Sequence, residues 1–372
     1  MTRIYMDNAA ATPILPAVRK VANEAMENFG NASSLHEEGR LARAAITNAR
    51  EVVAELIGAK PEEIIFTNGC SEANNTVIKT FNKLAVSAIE HPSVLEPARK
   101  LGAQIIPVDA EGMVQEDTVK KLASQSDLVS IMLANNEIGT IQDIKKLARI
   151  AHENQALFHT DATQAVGKVP IDVKDLGVDY LTMSAHKIGG LKGIGALYMR
   201  EGCPLEPLVC GGRQEKGLRA GTENTLGIIA FGEACKNCFS SKDHYTKVAP
   251  LRRQLREGIV KNIPNVTVNG DQENCLPNIL SVTFAGVEGE SVMLMLDAKG
   301  VAVSTGSACA TGDIRPSHVL MAIGADPEKA HGSIRFSLGA DTTKKDINYV
   351  LEVLPPIITF LRKISTVEGD YE

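Results

Sequence analysis

No apolar run in this 372-residue chain is long enough to span a bilayer, so a membrane protein is set aside. No basic arm or Lys/Arg stripe concentrates the charge; the net value of −6 is spread along the sequence, so nucleic acid is set aside as a partner. The opening residues Met1–Asn8 hold no apolar core of signal-peptide length, and the expectation is a cytoplasmic protein with its cysteines as thiols. Those cysteines are Cys70, Cys203, Cys210, Cys235, Cys238, Cys275 and Cys309. Cys235-Lys-Asn-Cys238 is a CxxC, but no second pair stands at zinc-ribbon spacing. Its surroundings are Ala-rich and helical, so ordinary helix cysteines are expected and no metal. Tryptophan, internal repeats and low-complexity segments are missing too.

What is present is length, glycine and alternation. The chain exceeds one small core and suits a large domain plus a smaller one. Its 31 glycines suit an α/β enzyme with many tight strand-to-helix turns. Helices are expected from Pro16 to Phe29, closed by Gly30, and from Glu37 to Ile57, closed by Gly58. Strands are expected at Glu63–Thr67, Ala85–Ile89, Gln104–Val108, Asp127–Leu133, Ala156–Thr160 and Val178–Ala185, with a helix from Ser71 and others between. The alternation predicts an α/β fold, a mostly parallel sheet with helices on both faces. From about Pro250 the pattern becomes a helix Leu251–Lys261, a strand Asn278–Phe284, a helix through Leu296, strands Val301–Val303 and Ser333–Leu338, and a last helix. That predicts a smaller α+β domain. The large domain is placed at 15–250, and the small one at 1–14 with 251–372.

Ligands of open α/β sheets sit beyond the carboxyl ends of the strands. Polar clusters fall at four such ends: Asn68-Gly-Cys-Ser71-Glu, Asn135-Asn136-Glu137, Asp161-Ala-Thr-Gln164 and Lys187. Each alone is an ordinary polar turn; four on one rim point to a pocket. Lys187 closes Tyr180-Leu-Thr-Met-Ser-Ala-His-Lys187 and precedes a Gly-rich stretch. Strand alternation would send Ser184 and His186 to one side and Lys187 to the other. A shielded amine there suits a Schiff base to a cofactor aldehyde, the alternative being a surface lysine. The helix start behind Gly69 offers N–H groups and a dipole to a phosphate, and Ser71 a hydroxyl, unless Ser71 only caps the helix. Asp161 can keep a pyridinium nitrogen protonated, and Gln164 can donate to a ring hydroxyl; both have a plain turn reading. His91 can stack on such a ring and transfer protons, the alternative being a satisfied structural histidine. Arg213 and Arg219 lie in a Gly-rich loop, either mobile or in contact with a phosphate or a second subunit.

These residues sit in an ordered set of motifs spanning nearly the whole chain. They are Tyr5-Met-Asp-Asn-Ala-Ala-Ala-Thr-Pro13, Gly30-Asn-Ala-Ser-Ser-Leu-His36, Asn68-Gly-Cys-Ser-Glu-Ala-Asn-Asn75, Asn135-Asn-Glu-Ile-Gly139, His159-Thr-Asp-Ala-Thr-Gln164, Ser184-Ala-His-Lys187, Arg219-Ala-Gly-Thr-Glu-Asn224, Ser304-Thr-Gly-Ser-Ala-Cys309 and Ser333-Ile-Arg-Phe-Ser-Leu-Gly339. In this set the chain resembles the cysteine desulfurases of the iron–sulfur-cluster and nitrogen-fixation type, in the class V aminotransferase superfamily. The resemblance implies the fold type I of pyridoxal-phosphate enzymes, with a seven-stranded sheet, and pyridoxal 5′-phosphate as cofactor.

It implies that Lys187 carries the cofactor, Asp161 pairs with the pyridine nitrogen, Gln164 bonds the ring oxygen and His91 stacks on the ring. The phosphate falls to Gly69, Cys70, Ser71, Ser184 and His186, with Thr222 reaching it from a second subunit of a homodimer. Asn136 and Arg335 take the carboxylate of L-cysteine, and Cys309 receives its sulfur, leaving alanine. The persulfide then passes to a sulfur-acceptor protein, an iron–sulfur scaffold or a tRNA-thiolation relay. Departures are Ser71 for threonine, Ala32 and Leu191 for prolines, and Ala310-Thr311 after the cysteine; none removes a catalytic group. Arg335 has the alternative of a structural ion pair, and Cys309 that of a small buried side chain. Rival activities are a selenocysteine lyase or another class V enzyme, and last a non-catalytic sulfur-transfer scaffold.

Overall fold

The computed structural model describes residues 3–240, 242–305 and 316–365; Cys309 lies outside the described residues. The strands are β1 (Ile4–Tyr5), β2 (Ile64–Thr67), β3 (Leu84–Ser87), β4 (Gln104–Ile106), β5 (Leu128–Ser130), β6 (Leu157–Asp161), β7 (Tyr180–Ser184), β8 (Gly195–Met199), β9 (Val266–Asn269), β10 (Ile279–Phe284), β11 (Val301–Ala302) and β12 (Ser333–Ser337). Seven of them form one sheet in the order β2-β8-β7-β6-β5-β3-β4. From β7 to β4 all neighbours are parallel, while β8 runs antiparallel to both β7 and β2. This is the mostly parallel sheet that the alternation predicts, with the seven strands that the resemblance implies.

Burial on both faces explains the composition of these strands. Every residue of β3, β5 and β7 is buried, so their sequences are continuous apolar or small runs rather than alternations. Leu181 and Met183 of β7 face one apolar cluster, with Ala42, Ile46 and Val53 of helix Glu37–Leu56 and Leu147 and Ala151 of helix Ile144–Glu153. Tyr180 faces the other, with Val77 and Ile78 of helix Cys70–Thr80 and Val94 and Leu95 of helix Pro92–Lys100.

β8 is absent from the strands that the sequence reveals. Gly195-Ala-Leu-Tyr-Met carries no β-branched residue, and the ten residues between Ser184 and Gly195 are too few for a helical crossover. It therefore returns antiparallel beside β7. β9 is also unforeseen. The first helix ends at Ala25, short of Phe29, and the helix expected from Leu251 begins at Lys242. Helix Glu37–Leu56 does stop as Gly58 predicts, at a left-handed φ of 70°.

A smaller α+β part follows. β10 is flanked by β12 and β9, both antiparallel, and β1 pairs in parallel with β11. Its core joins Leu280, Val282, Phe284, Ile334 and Phe336 to Leu255 and Ile259 of helix Lys242–Asn262 and to Val350, Leu354 and Ile358 of helix Lys344–Ile364. Met6 lies in the same core, so the N-terminal segment starts here before crossing to the large sheet.

Gly195 is where β8 passes the loop after β2. A Cβ there would lie 2.7 Å from the Gly69 Cα and 2.6 Å from the Met183 carbonyl oxygen. Gly195→Ala is therefore expected to destabilise the fold by about 1–3 kcal/mol, the usual cost of overpacking. Urea unfolding followed by circular dichroism, with a midpoint unchanged from the parent, would show that this approach is not tight.

Candidate active site

The four rim clusters meet at the carboxyl ends of β2, β5, β6 and β7. β7 stops at Ser184, and Ala185–Lys187 form a 3-10 turn. Strand alternation therefore does not set the side chains there, contrary to the sequence reading. The turn itself brings Ser184 Oγ within 2.9 Å of His186 Nδ1. It also directs the half-buried Lys187 toward the N-terminal segment, where Nζ donates to the carbonyls of Ala9 at 2.6 Å and Ala10 at 2.8 Å. Thr12 fastens that segment: its N–H and its hydroxyl both donate to the His186 carbonyl. Burial, then Lys187 and Lys192, push the His186 pKa down to about 4, so its ring is neutral.

Asp161 ends β6 and is 4% exposed. Its Oδ1 accepts the Thr163 N–H at 2.9 Å, and its Oδ2 accepts from Asn74 Nδ2 at 2.8 Å and from Cys70 Sγ at 3.3 Å. Burial alone would raise its pKa. Hydrogen bonding from Thr163, the proximity of His91 and the Asn74 amide outweigh burial and hold it below the ordinary value. Cys70 goes the other way: burial and the Asp161 charge push its thiol well up, so it serves as a neutral donor. His91 caps helix Pro92–Lys100, its Nδ1 accepting the Ser93 N–H at 3.1 Å. Burial lowers its pKa against the pull of Asp161, and Lys187 and His318 lower it further.

Gln164 Nε2 donates to the Ala9 carbonyl at 2.9 Å, while its buried Oε1 has no partner among the described residues. The open function is thus an acceptor, where the sequence reading has Gln164 donating.

Arg335 stands in β12 and is 4% exposed. Nη1 donates to the Asn136 carbonyl at 3.0 Å, Nη2 to Asp7 Oδ1 at 2.8 Å, and Nε is buried without a partner among the described residues. The structure thus joins Asn136 and Arg335. It adds Asp7, which the sequence shows only as part of the first motif. Glu137 beside them accepts from Ser317 Oγ, and burial raises its pKa to about 7. Glu90, fully buried behind His91, is pushed by burial to about 8.

Ser71 is exposed at the first turn of helix Cys70–Thr80. Thr222 is exposed in the loop 211–224. The loop itself is pinned. Glu215, with its side chain 4% exposed, takes both terminal nitrogens of Arg50 and the Phe66 N–H, and Arg219 pairs with Glu72 at 3.0 Å. Cys235 and Cys238 are buried in helix Thr225–Ser240, and no metal-binding group of side chains occurs among the described residues. Residues that sequence reasoning missed are Asp7, Thr12, Asn74 and the buried Lys168. Lys168 Nζ donates to the Gln164 carbonyl at 2.8 Å, and burial lowers its pKa to about 7. Only their membership of quoted motifs, for Asp7, Thr12 and Asn74, could have flagged them.

The donor set fits a planar aldehyde bearing a phosphate. Gly69 has a φ of 141°, and a Cβ on it would project to 3.6 Å from Ser184 Oγ, into the gap between helix start and strand end. The first N–H groups of that helix have no intrahelical acceptor. An amine, a buried carboxylate, a neutral imidazole and an orphaned amide oxygen face the same rim.

The family model described as Aminotransferase class-V matches residues 4–350. A protein named Cysteine desulfurase IscS from Dictyoglomus turgidum is 49% identical, over 99% of this chain and 98% of its own length. One of the same name from Methanosarcina thermophila is 45% identical over 97% of this chain and 93% of its own. Among solved structures, a NifS-like protein from Rickettsia africae has a TM-score of 0.90 at 34% identity, covering 96% of this chain and 99% of that one. SspA in complex with cysteine has a TM-score of 0.79 at 34% identity, covering 92% and 100%. A family model that covers most of the chain, over a rim built from the motifs it would require, makes this protein a member of the class V aminotransferase family.

Proposed function

We propose that this chain is a cysteine desulfurase, converting L-cysteine to L-alanine and passing the sulfur on as a persulfide. The observation that carries the reading is the convergence of Lys187, Asp161, His91 and Arg335 on one rim, in a chain 49% identical to a named cysteine desulfurase. Pyridoxal 5′-phosphate is the cofactor. When bound it supplies an aldehyde that links to amines and a pyridinium that withdraws electrons from the substrate carbons.

The side chains divide the remaining work. Gly69, Cys70 and Ser71 at the helix start, with Ser184 and His186, hold the phosphate. Lys187 Nζ is the covalent anchor, and once released it takes the proton from the substrate Cα. Asp161 keeps a proton on the ring nitrogen, because a buried carboxylate with a lowered pKa stays charged beside it. His91 covers the ring face as a neutral imidazole, and Gln164 faces the ring oxygen.

Arg335, oriented by Asp7 and by the Asn136 carbonyl, clamps the carboxylate of L-cysteine, with the Asn136 side chain beside it. The thiolate of Cys309 attacks the substrate sulfur; the Sγ–S bond forms and the Cβ–S bond breaks, its electron pair remaining on carbon. That carbon takes a proton, Lys187 Nζ returns the proton it took from Cα, and the product leaves as alanine. The persulfide goes to a sulfur-acceptor protein such as an iron–sulfur scaffold.

Three further parts belong to the proposal. The chain divides into a large domain at 15–250 and a small one at 1–14 with 251–372, supported by Met6 packing in the second core. It acts as a homodimer in which the exposed Thr222 reaches the partner's phosphate site. It works in the cytoplasm; no helix among the described residues is long and apolar enough to cross a membrane.

Lys187→Ala is expected to lower alanine formation from L-cysteine by at least about a hundred-fold, the range for losing a positioned base. Circular dichroism should remain that of the parent. Near-parental turnover would sink the assignment of the anchor.

Cys309→Ala should abolish persulfide and alanine formation from L-cysteine while substrate still perturbs the visible absorbance. A variant as active as the parent would place a lyase that releases its product directly first.

If Thr222 completes the partner's phosphate site, dilution into monomers should release cofactor. Sedimentation that finds an active monomer retaining cofactor would count against the shared site.

A further inference from the structure

Asn74 is fully buried on helix Cys70–Thr80, and its amide uses both of its N–H groups. One reaches Asp161 Oδ2 at 2.8 Å and the other Ser93 Oγ at 2.9 Å. Its carbonyl oxygen accepts the Thr182 hydroxyl at 2.6 Å. These contacts fix the amide in one orientation, since its oxygen cannot face a carboxylate. Ser93 Oγ lies 2.8 Å from His91 Nδ1, which already accepts the Ser93 N–H. Nδ1 is therefore bare, Ser93 Oγ donates its proton to it, and the imidazole proton sits on Nε2. One amide thus joins the carboxylate expected at the ring nitrogen to the imidazole expected on the ring face.

We propose that Asn74 is a positioning residue that sets the charge of Asp161 and, through Ser93, the tautomer and orientation of His91. The proposal rests on the desulfurase reading for its consequence in turnover, but not for the tie itself. Asn74 carries no charge and touches neither substrate nor ring in this scheme; it acts through its two neighbours. The titratable groups around it are Cys70 on its own helix, His159 and Asp161 on β6, Glu90 and His91 beyond β3, Lys187 after β7 and His318 behind His91. None of them donates to both Asp161 and Ser93.

Asn74→Asp is the informative variant, being nearly isosteric. With the introduced carboxyl protonated, its O–H can still serve Asp161 Oδ2, as the amide does. A buried pair of carboxyls shares one proton and loses it at a raised pKa. Activity is thus present below that pKa and lost as the pH rises through it. We expect a descending alkaline limb of kcat that the parent lacks, with kcat falling at least about ten-fold across it, the scale of a lost hydrogen bond to a charged group. KM for L-cysteine should change by less than about three-fold.

The second readout is the imidazole 15N spectrum of His91 in cofactor-free protein, assigned with His91→Gln. Its Nδ1 signal should move in Asn74→Asp and in Ser93→Ala. A pH profile that parallels the parent's, or His91 signals unmoved in both variants, overturns the tie. If the parent itself makes no alanine from L-cysteine, the desulfurase reading fails, and the 15N spectra alone then decide for or against the tie.

Discussion

A carboxylate taken out of water must be paid in donors or it takes up a proton, and the site is organised around Asp161 meeting that condition. Its donors come from different elements: the turn after β6 supplies Thr163, and the helix after β2 supplies Cys70 and Asn74. They can meet only if the β2 helix start lies over the ends of β6 and β7. The sheet order, with β8 inserted between β2 and β7, arranges that. β8 in turn passes β2 closely enough that Gly195 admits no side chain. The charge at Asp161 and the path of the backbone around Gly195 are thus parts of one constraint.

The N-terminal segment is the second organising element. It leaves the smaller core at Met6, presents Asp7 to Arg335, and lays the Ala9 and Ala10 carbonyls against Lys187. Carbonyl oxygens suit a protonated amine, and the Asp7 carboxylate suits a guanidinium kept from water by β12. Two cations expected to handle substrate are thereby held by one short stretch of chain. Thr12 locks its far end to the turn that carries Lys187.

Charge balance also explains the loop 211–224. Glu72 lies in the first turn of the helix expected to bind phosphate, an unfavourable place for a second anion beside a bound one. Arg219 from the loop neutralises it, and Glu215 ties the same loop to Arg50 and to the β2 backbone. A stretch whose glycine content reads as mobile is held by partly buried ion pairs, which composition cannot show because both partners are distant in sequence.

Much of the fold was legible in the residues themselves. Continuous apolar runs marked most strands of the large sheet, since both of its faces are covered, and Gly58 marked a helix end because only a left-handed residue closes it there. Ordered motifs carried the rim residues and the family. What the sequence by itself determined was therefore the class of the sheet and the chemical inventory of its rim. Tertiary structure decided the rest: that β8 enters antiparallel, that a 3-10 turn rather than a strand aims Lys187, that Asp7 holds Arg335 and that Asn74 joins Asp161 to His91. The last two depend on contacts between residues 87 and 328 positions apart, Asn74 with Asp161 and Asp7 with Arg335, and local periodicity carries no information at that range.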